Sequence, residues 1–172
     1  MLPARSLRAD SSPPRCIRKM TASDRAAVEV VLKESPEAAQ WAPWDLHAAL
    51  PAEVQVWVAE QDGEVIGIAA TRAVARVAGS CRARSIEEAE LLNLAVRPGQ
   101  RGSGWGRALV QGCVEELGAA GVESLFLEVR ESNAVARAFY AALGFVSSGR
   151  RRSYYQNPPE DALVLLLRWK SP

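Results

Sequence analysis

Histidine is nearly missing from the 172-residue sequence, cysteine is scarce and no long apolar run occurs. Each shortage removes a class of chemistry. With His47 as the single histidine, neither a Ser-His-Asp array nor a multi-histidine metal site can be assembled. Cys16, Cys81 and Cys113 are odd in number, widely spaced and without a C-x-x-C pair, so neither a disulfide framework nor a zinc site is suggested. The longest unbroken apolar runs, such as Ala162 to Leu167, are far too short to cross a bilayer. A net charge of +1 and a pI of about 7.7 argue against a general binder of nucleic acid or membranes.

What is present fits one ordinary globular domain with a sizeable core, 48% hydrophobic and 24% charged. Residues 1–14 combine three prolines, three serines and scattered charge and are expected to be a disordered tail, leaving 15–170 as a single domain. No basic-then-apolar leader opens the chain, so a cytoplasmic protein is expected.

Along the chain, a short strand at Cys16 to Lys19 precedes a helix capped by Thr21 or Ser23 and running to Lys33, with Pro36 as its stop. Trp41 to His47 reads as a loop and a short helix capped by Asp45. Trp44 there is a candidate for a substrate-binding rim, since tryptophan offers rigid apolar area beside a polar edge. A hairpin follows, Val54 to Glu60 and Glu64 to Ala70, turning at Gln61-Asp62-Gly63. Arg72 to Arg84 reads as a strand extension and an exposed arginine-rich loop, whose four arginines could meet solvent or an acidic partner. Strand character resumes near Glu88.

The stretch from Leu91 to Leu117 runs from an apolar strand through a glycine-rich turn into an amphipathic helix. Leu109, Val110, Cys113, Val114 and Leu117 fall on one helix face, and Gly118 and Gly121 follow as stops. Gly102, Gly104 and Gly106 let several N–H groups converge, and the helix adds the positive end of its dipole, so an anion site is predicted. It is not a P-loop, because no G-K-[ST] follows, and not a dinucleotide fingerprint, because the spacing is G-x-G-x-G.

Val122 to Arg130 reads as the next strand, making a βαβ unit with parallel flanking strands and a right-handed crossover. Glu128 interrupts its apolar run near the carboxyl end, where open α/β sheets place ligands and where a carboxylate can serve as general base. A surface edge, or an ion pair with Arg130 or Arg101, would explain it equally. In the following helix Val135, Phe139 and Leu143 form an apolar stripe, while Asn133, Ala136 and Tyr140 share a second face, placing an amide and a phenol along one groove. Tyr140 in the core with a snorkelling hydroxyl is the bland alternative.

Four motifs together resemble the GNAT acetyltransferases. They are Leu92-Asn-Leu-Ala-Val96; an R-x-x-G-x-G loop at Arg101, Gly104 and Gly106; Leu127-Glu-Val-Arg-x-Ser-Asn133 with Tyr140 and Leu143-Gly-Phe145; and Arg151-Arg-Ser-Tyr-Tyr155. Within the family they are most similar to the RimI-type ribosomal-protein-alanine N-acetyltransferases. The resemblance covers 15–169, is strongest from 88 onward, and departs at Gly102, where many relatives carry a basic residue. It implies an α/β fold, a single mixed and mostly antiparallel sheet with a central parallel βαβ site and helices on both faces. Acetyl-CoA would be the cosubstrate, held by Leu94, Ala95, Val96, Arg101, Gly102, Ser103, Gly104, Trp105, Gly106, Arg107 and Asn133, with no metal. Glu128 would be the base and Tyr140 the acid. Tyr154 and Tyr155, read as lying in the connection between strands Phe145 to Arg152 and Asp161 to Trp169, would hold the substrate.

The implied reaction is direct transfer to the α-amino group of a protein N-terminus, the terminal alanine of a small-subunit ribosomal protein, by a monomer or weak dimer with no DNA or membrane partner. Lysine or small-amine acetylation, or an idle acyl-CoA-binding module, stay open beside it. So does the reading of Arg150, Arg151 and Arg152 as a solvated strand end or as a contact for an acidic partner.

Overall fold

The computed structural model describes residues 15–39, 51–77 and 84–169. The expected tail at 1–14, the segment containing Trp41, Trp44, Asp45 and His47, and the centre of the arginine-rich loop at 78–83 lie outside the described residues.

Seven strands form one sheet: β1 (Cys16–Lys19), β2 (Val54–Gln61), β3 (Glu64–Val77), β4 (Arg84–Val96), β5 (Ser124–Arg130), β6 (Val146–Gln156) and β7 (Pro159–Arg168). Their order is β1-β2-β3-β4-β5-β7-β6, and every neighbouring pair is antiparallel except β4 and β5. The helices are α1 (Arg25–Lys33), α2 (Pro36–Ala39), α3 (Trp105–Ala119) and α4 (Ala134–Ala142).

Alternation along the strands sends side chains to the two faces of the sheet. Trp57 and Ala59 pack with Leu109, Val110, Cys113 and Leu117 of α3 and with Tyr140 and Phe145. Val58 between them packs with Val28, Val31 and Leu32 of α1 on the opposite face. The expected mixed sheet with helices on both faces is therefore what the chain forms.

Several elements differ in detail from the sequence reading. Pro36 does not merely stop α1 but opens α2, as proline can when its missing N–H would be unpaired at a helix start. Gly118 lies inside α3. The stop is Gly121, at φ +84°, where the N–H of Val122 bonds to the carbonyl of Leu117. Asp62 and Gly63 both have positive φ, the I′ geometry that suits a two-residue hairpin. Tyr154 and Tyr155 belong to β6, and the β6–β7 turn is confined to Asn157 and Pro158.

Two irregularities in β4 shape the site. Ala70 pairs with Asn93 and Thr71 with Leu91, leaving Leu92 as a bulge that reverses the alternation of the strand. More important, β4 and β5 pair only through Glu88–Ser124, Ala89–Leu125 and Glu90–Phe126, although β4 continues to Val96 and β5 to Arg130. Beyond Glu90 the two strands diverge. Their unpaired edges open a wedge in the middle of the sheet.

Candidate active site

The wedge is a cleft of about 760 Å³, bounded by Leu91 to Leu94 and Val96 on one arm, Leu127 to Arg130 on the other, the glycine turn at one end and α4 along a wall. No ladder hydrogen bonds join the two arms, so the facing edges of both strands border the cleft.

The turn between β4 and α3 is built for an anion. Gly102 and Gly104 stand at φ +77° and +91°, a left-handed conformation that side-chain-bearing residues adopt at a cost. Among the described residues, no backbone carbonyl accepts the N–H groups from Gly102 to Arg107, and the first turn of α3 adds its dipole. Gly106 faces Phe139 so closely that a Cβ would come within 3.3 Å of its ring.

Arg101 lines the cleft while tied down on its flank. Its Nε donates to the carbonyl of Val96 at 3.0 Å, and Nη2 donates to Ser35 Oγ at 3.0 Å and to Glu37 at 2.6 Å. Arg107 donates to the carbonyl of Ala142, joining α3 to α4. Ser103 turns its hydroxyl to Gln100, Trp105 packs into the core beneath Arg15, and Ala95 packs on the α1 face. Those three side chains point away from the cleft, while the backbones of Ser103 and Trp105 stay in the turn.

Asn133 is the N-cap of α4, its Oδ1 accepting from the N–H of Ala136 at 3.0 Å, and it lines the cleft together with Ala136 and Tyr140. The helix sits differently from its expected stripe: Val135 is 84% exposed, and Tyr140 is the buried residue. The Tyr140 ring meets Phe139 and Phe145 edge to face at 5.1 and 5.4 Å. Burial pushes its phenol above the usual tyrosine range, so it holds its proton at neutral pH.

Glu128 enters from the other side of the sheet. Leu125, Leu127 and Val129 face α3 and α4, so Phe126, Glu128 and Arg130 face away from them. The Glu128 side chain is 5% exposed, and its Oε1 lies 2.9 Å from Arg151 Nε, although neither carboxylate oxygen receives an aligned hydrogen bond. The partner is thus neither Arg130 nor Arg101. Tyr154 also adjoins this carboxylate. Burial first, and then Glu128, raise the Tyr154 pKa.

Tyr155 lines the cleft under Arg130, whose guanidinium lies 4.1 Å from the ring centre. Arg130 also bonds to the carbonyls of Asn157 and Pro158 and to Glu160, fixing the turn. Of the three consecutive arginines, Arg150 pairs with Glu131 and Asp161, and Arg151 with Glu128. Both find partners within the chain while staying about half exposed, at 50% and 53%.

Two residues escaped the sequence reading. Glu90 closes the acidic stretch Glu87-Glu88-Ala89-Glu90 and gives no local sign of burial; it is buried, lines the cleft and pairs with Arg72. Arg151 looked like one charge in a run, and only the strand order β5-β7-β6 brings it to Glu128. Among the described residues no helix is long and apolar enough to cross a membrane, and no cluster of three His, Cys, Asp or Glu could hold a metal.

Residues 19–145 match the acetyltransferase (GNAT) family. The sequence is 39% identical over 109 residues to the [ribosomal protein bS18]-alanine N-acetyltransferase of Escherichia coli K12, a match over 62% of this chain that spans 66% of the relative's length. The crystal structure of the ribosomal-protein-S18-alanine N-acetyltransferase from Escherichia coli superposes with a TM-score of 0.72 at 31% identity, covering 90% of this chain and 94% of that one. A GNAT family acetyltransferase from Elizabethkingia anophelis, solved with acetyl-CoA bound, shares the fold at a TM-score of 0.69 and 15% identity, over 90% and 98% of the two chains.

Proposed function

The chain belongs to the acetyltransferase (GNAT) family, and on that premise we propose that it is an acetyl-CoA-dependent N-acetyltransferase of the α-amino group of a protein N-terminus. Its acceptor is the terminal alanine of a small-subunit ribosomal protein, modified in the cytoplasm. The similarity to bS18-alanine N-acetyltransferases supports the acceptor. One observation carries the chemistry: Glu128 and Tyr140 reach the same cleft from opposite faces of the sheet, with the glycine turn at its end.

The residues present suit acetyl-CoA. The N–H groups from Gly102 to Arg107 would hold its pyrophosphate, and the unpaired β4 edge from Leu91 to Val96 would hold its pantetheine arm through backbone bonds. Acetyl-CoA supplies an activated acyl carbon on a thiolate leaving group. The chain supplies positions and protons.

A peptide α-amine has a pKa near 8, so only modest base catalysis is needed at neutral pH. Glu128 takes the proton that the nitrogen loses as the N–C bond forms. Free N–H groups on the β4 edge stabilise negative charge on the acyl oxygen. Tyr140, kept protonated by burial, gives its proton to the sulfur as the C–S bond breaks, and is reprotonated from solvent. Tyr155 and Tyr154, braced by Arg130 and Arg151, frame the side on which the peptide enters.

A bisubstrate conjugate tests this reading. CoA joined through an acetyl bridge to the α-nitrogen of an alanine-starting peptide should compete with acetyl-CoA far better than either half alone. Equal or tighter competition by a conjugate joined through a lysine side chain would overturn the α-amine assignment.

A further inference from the structure

Glu90 is the last residue of β4 that pairs with β5, and the strands diverge immediately beyond it. It lies opposite Phe126, and Glu128 is two residues further along β5, so the register puts both glutamates on the same face of the sheet. The apex of the cleft therefore carries one carboxylate on each arm. The Glu90 side chain is only 8% exposed and borders the cleft, while its partner Arg72, on β3, is 47% exposed. Arg72 reaches one oxygen of Glu90 through one guanidinium nitrogen. Across the apex, Glu128 is in contact with Arg151 and receives no aligned hydrogen bond.

The two carboxylates face different tasks. An α-amine with a pKa near 8 arrives mostly as an ammonium ion at neutral pH, and a cation entering a closed cleft unpaired is strongly disfavoured. A base that must accept the proton serves poorly as the permanent counter-ion as well. Glu90 already pairs with one cation, and half-exposed Arg72 can turn toward water when another cation takes its place.

We propose that Glu90 is a specificity-determining residue, whose carboxylate receives the protonated amine of the acceptor in exchange for Arg72 and holds it beside Glu128 until one proton is lost to solvent, leaving Glu128 to take the second as the N–C bond forms. This rests on the α-amine acetylation reading above. Glu90 selects a cationic amine over a neutral nitrogen, and it acts in binding rather than in the transfer step.

The test is the affinity, by calorimetry in the presence of CoA, of two alanine-starting peptides that differ only in Nα-acetylation. Wild type should prefer the free amine. Glu90→Gln should lose about tenfold in affinity for the free-amine peptide and nothing for the acetylated one, and Glu90→Asp should keep most of the preference. Unchanged free-amine affinity in Glu90→Gln would overturn the proposal. Arg72→Gln provides a second route if Glu90→Gln does not fold: removing the competing cation should tighten free-amine binding, and weaker binding would overturn the proposal. Acetylation of the same free-amine peptide by wild type is followed in parallel. Transfer to its α-amine without any binding preference refutes the role of Glu90 alone, whereas absence of that transfer refutes the α-amine reading together with it.

Discussion

Arg151 of β6 reaches over β7 to Glu128 of β5, with Nε 2.9 Å from Oε1. The register explains the contact, since Glu128 lies opposite Val164 and Arg151 opposite Ala162, two residues apart on the same side of β7. A nearly buried carboxylate thereby has a guanidinium beside it, while neither of its oxygens receives an aligned hydrogen bond.

Glu128→Gln should lower kcat/KM for the peptide about 100-fold or more, with acetyl-CoA affinity unchanged. Arg151 is 53% exposed, so the ion pair is worth about 1 kcal/mol or less and the variant should melt within a few degrees of wild type. Wild-type kcat/KM in a folded Glu128→Gln protein would remove Glu128 from proton transfer.

Tyr140→Phe keeps the ring contacts with Phe139 and Phe145 and removes only the acid. Turnover should fall about 100-fold, with little change in KM for acetyl-CoA or in stability. A rise in that KM at constant kcat would make Tyr140 a binding residue instead.

Gly104→Ala forces a side chain into φ +91° and brings a Cβ to 3.1 Å from the Arg15 guanidinium. The conformation costs about 1–2 kcal/mol, and the end of the Arg15 side chain must give way. The expected signature is a raised KM for acetyl-CoA with the KM for peptide unchanged, read from initial rates with each substrate varied in turn.

Asp24 is held well below the usual carboxylate range, chiefly by its hydrogen bonds from Arg18, despite burial. A depressed pKa means that its stabilisation is complete above the unfolded value near 4 and is lost as pH falls. Asp24→Asn should therefore cost about 2 kcal/mol at pH 7, and the gap from wild type should narrow below about pH 4. A gap that stays constant down to about pH 3, within the acid range set by the ordinary Asp pKa, would show that Asp24 contributes shape rather than charge.

Much of the architecture was legible because local signals agreed with it. The apolar stripe of α3 and the Asp62-Gly63 turn each follow from spacing or backbone chemistry within a few residues. What escaped depends on long-range register. The early divergence of β4 from β5, the pairing of Arg72 with Glu90 and the reach of Arg151 to Glu128 all join segments far apart in sequence, where no local period applies. The orientation of α4 was misread for a related reason. Val135 fits an apolar stripe, but burying Tyr140 between Phe139 and Phe145 rotates the helix and leaves Val135 on the rim of the cleft.

The most direct test is mass spectrometry after incubation with acetyl-CoA and two alanine-starting peptides, one with a free and one with a blocked α-amine, each carrying an internal lysine. Acetylation of the free α-amine alone, with the blocked peptide unmodified, is the predicted result. Lysine acetylation in both peptides, or no product from either, would contradict the account.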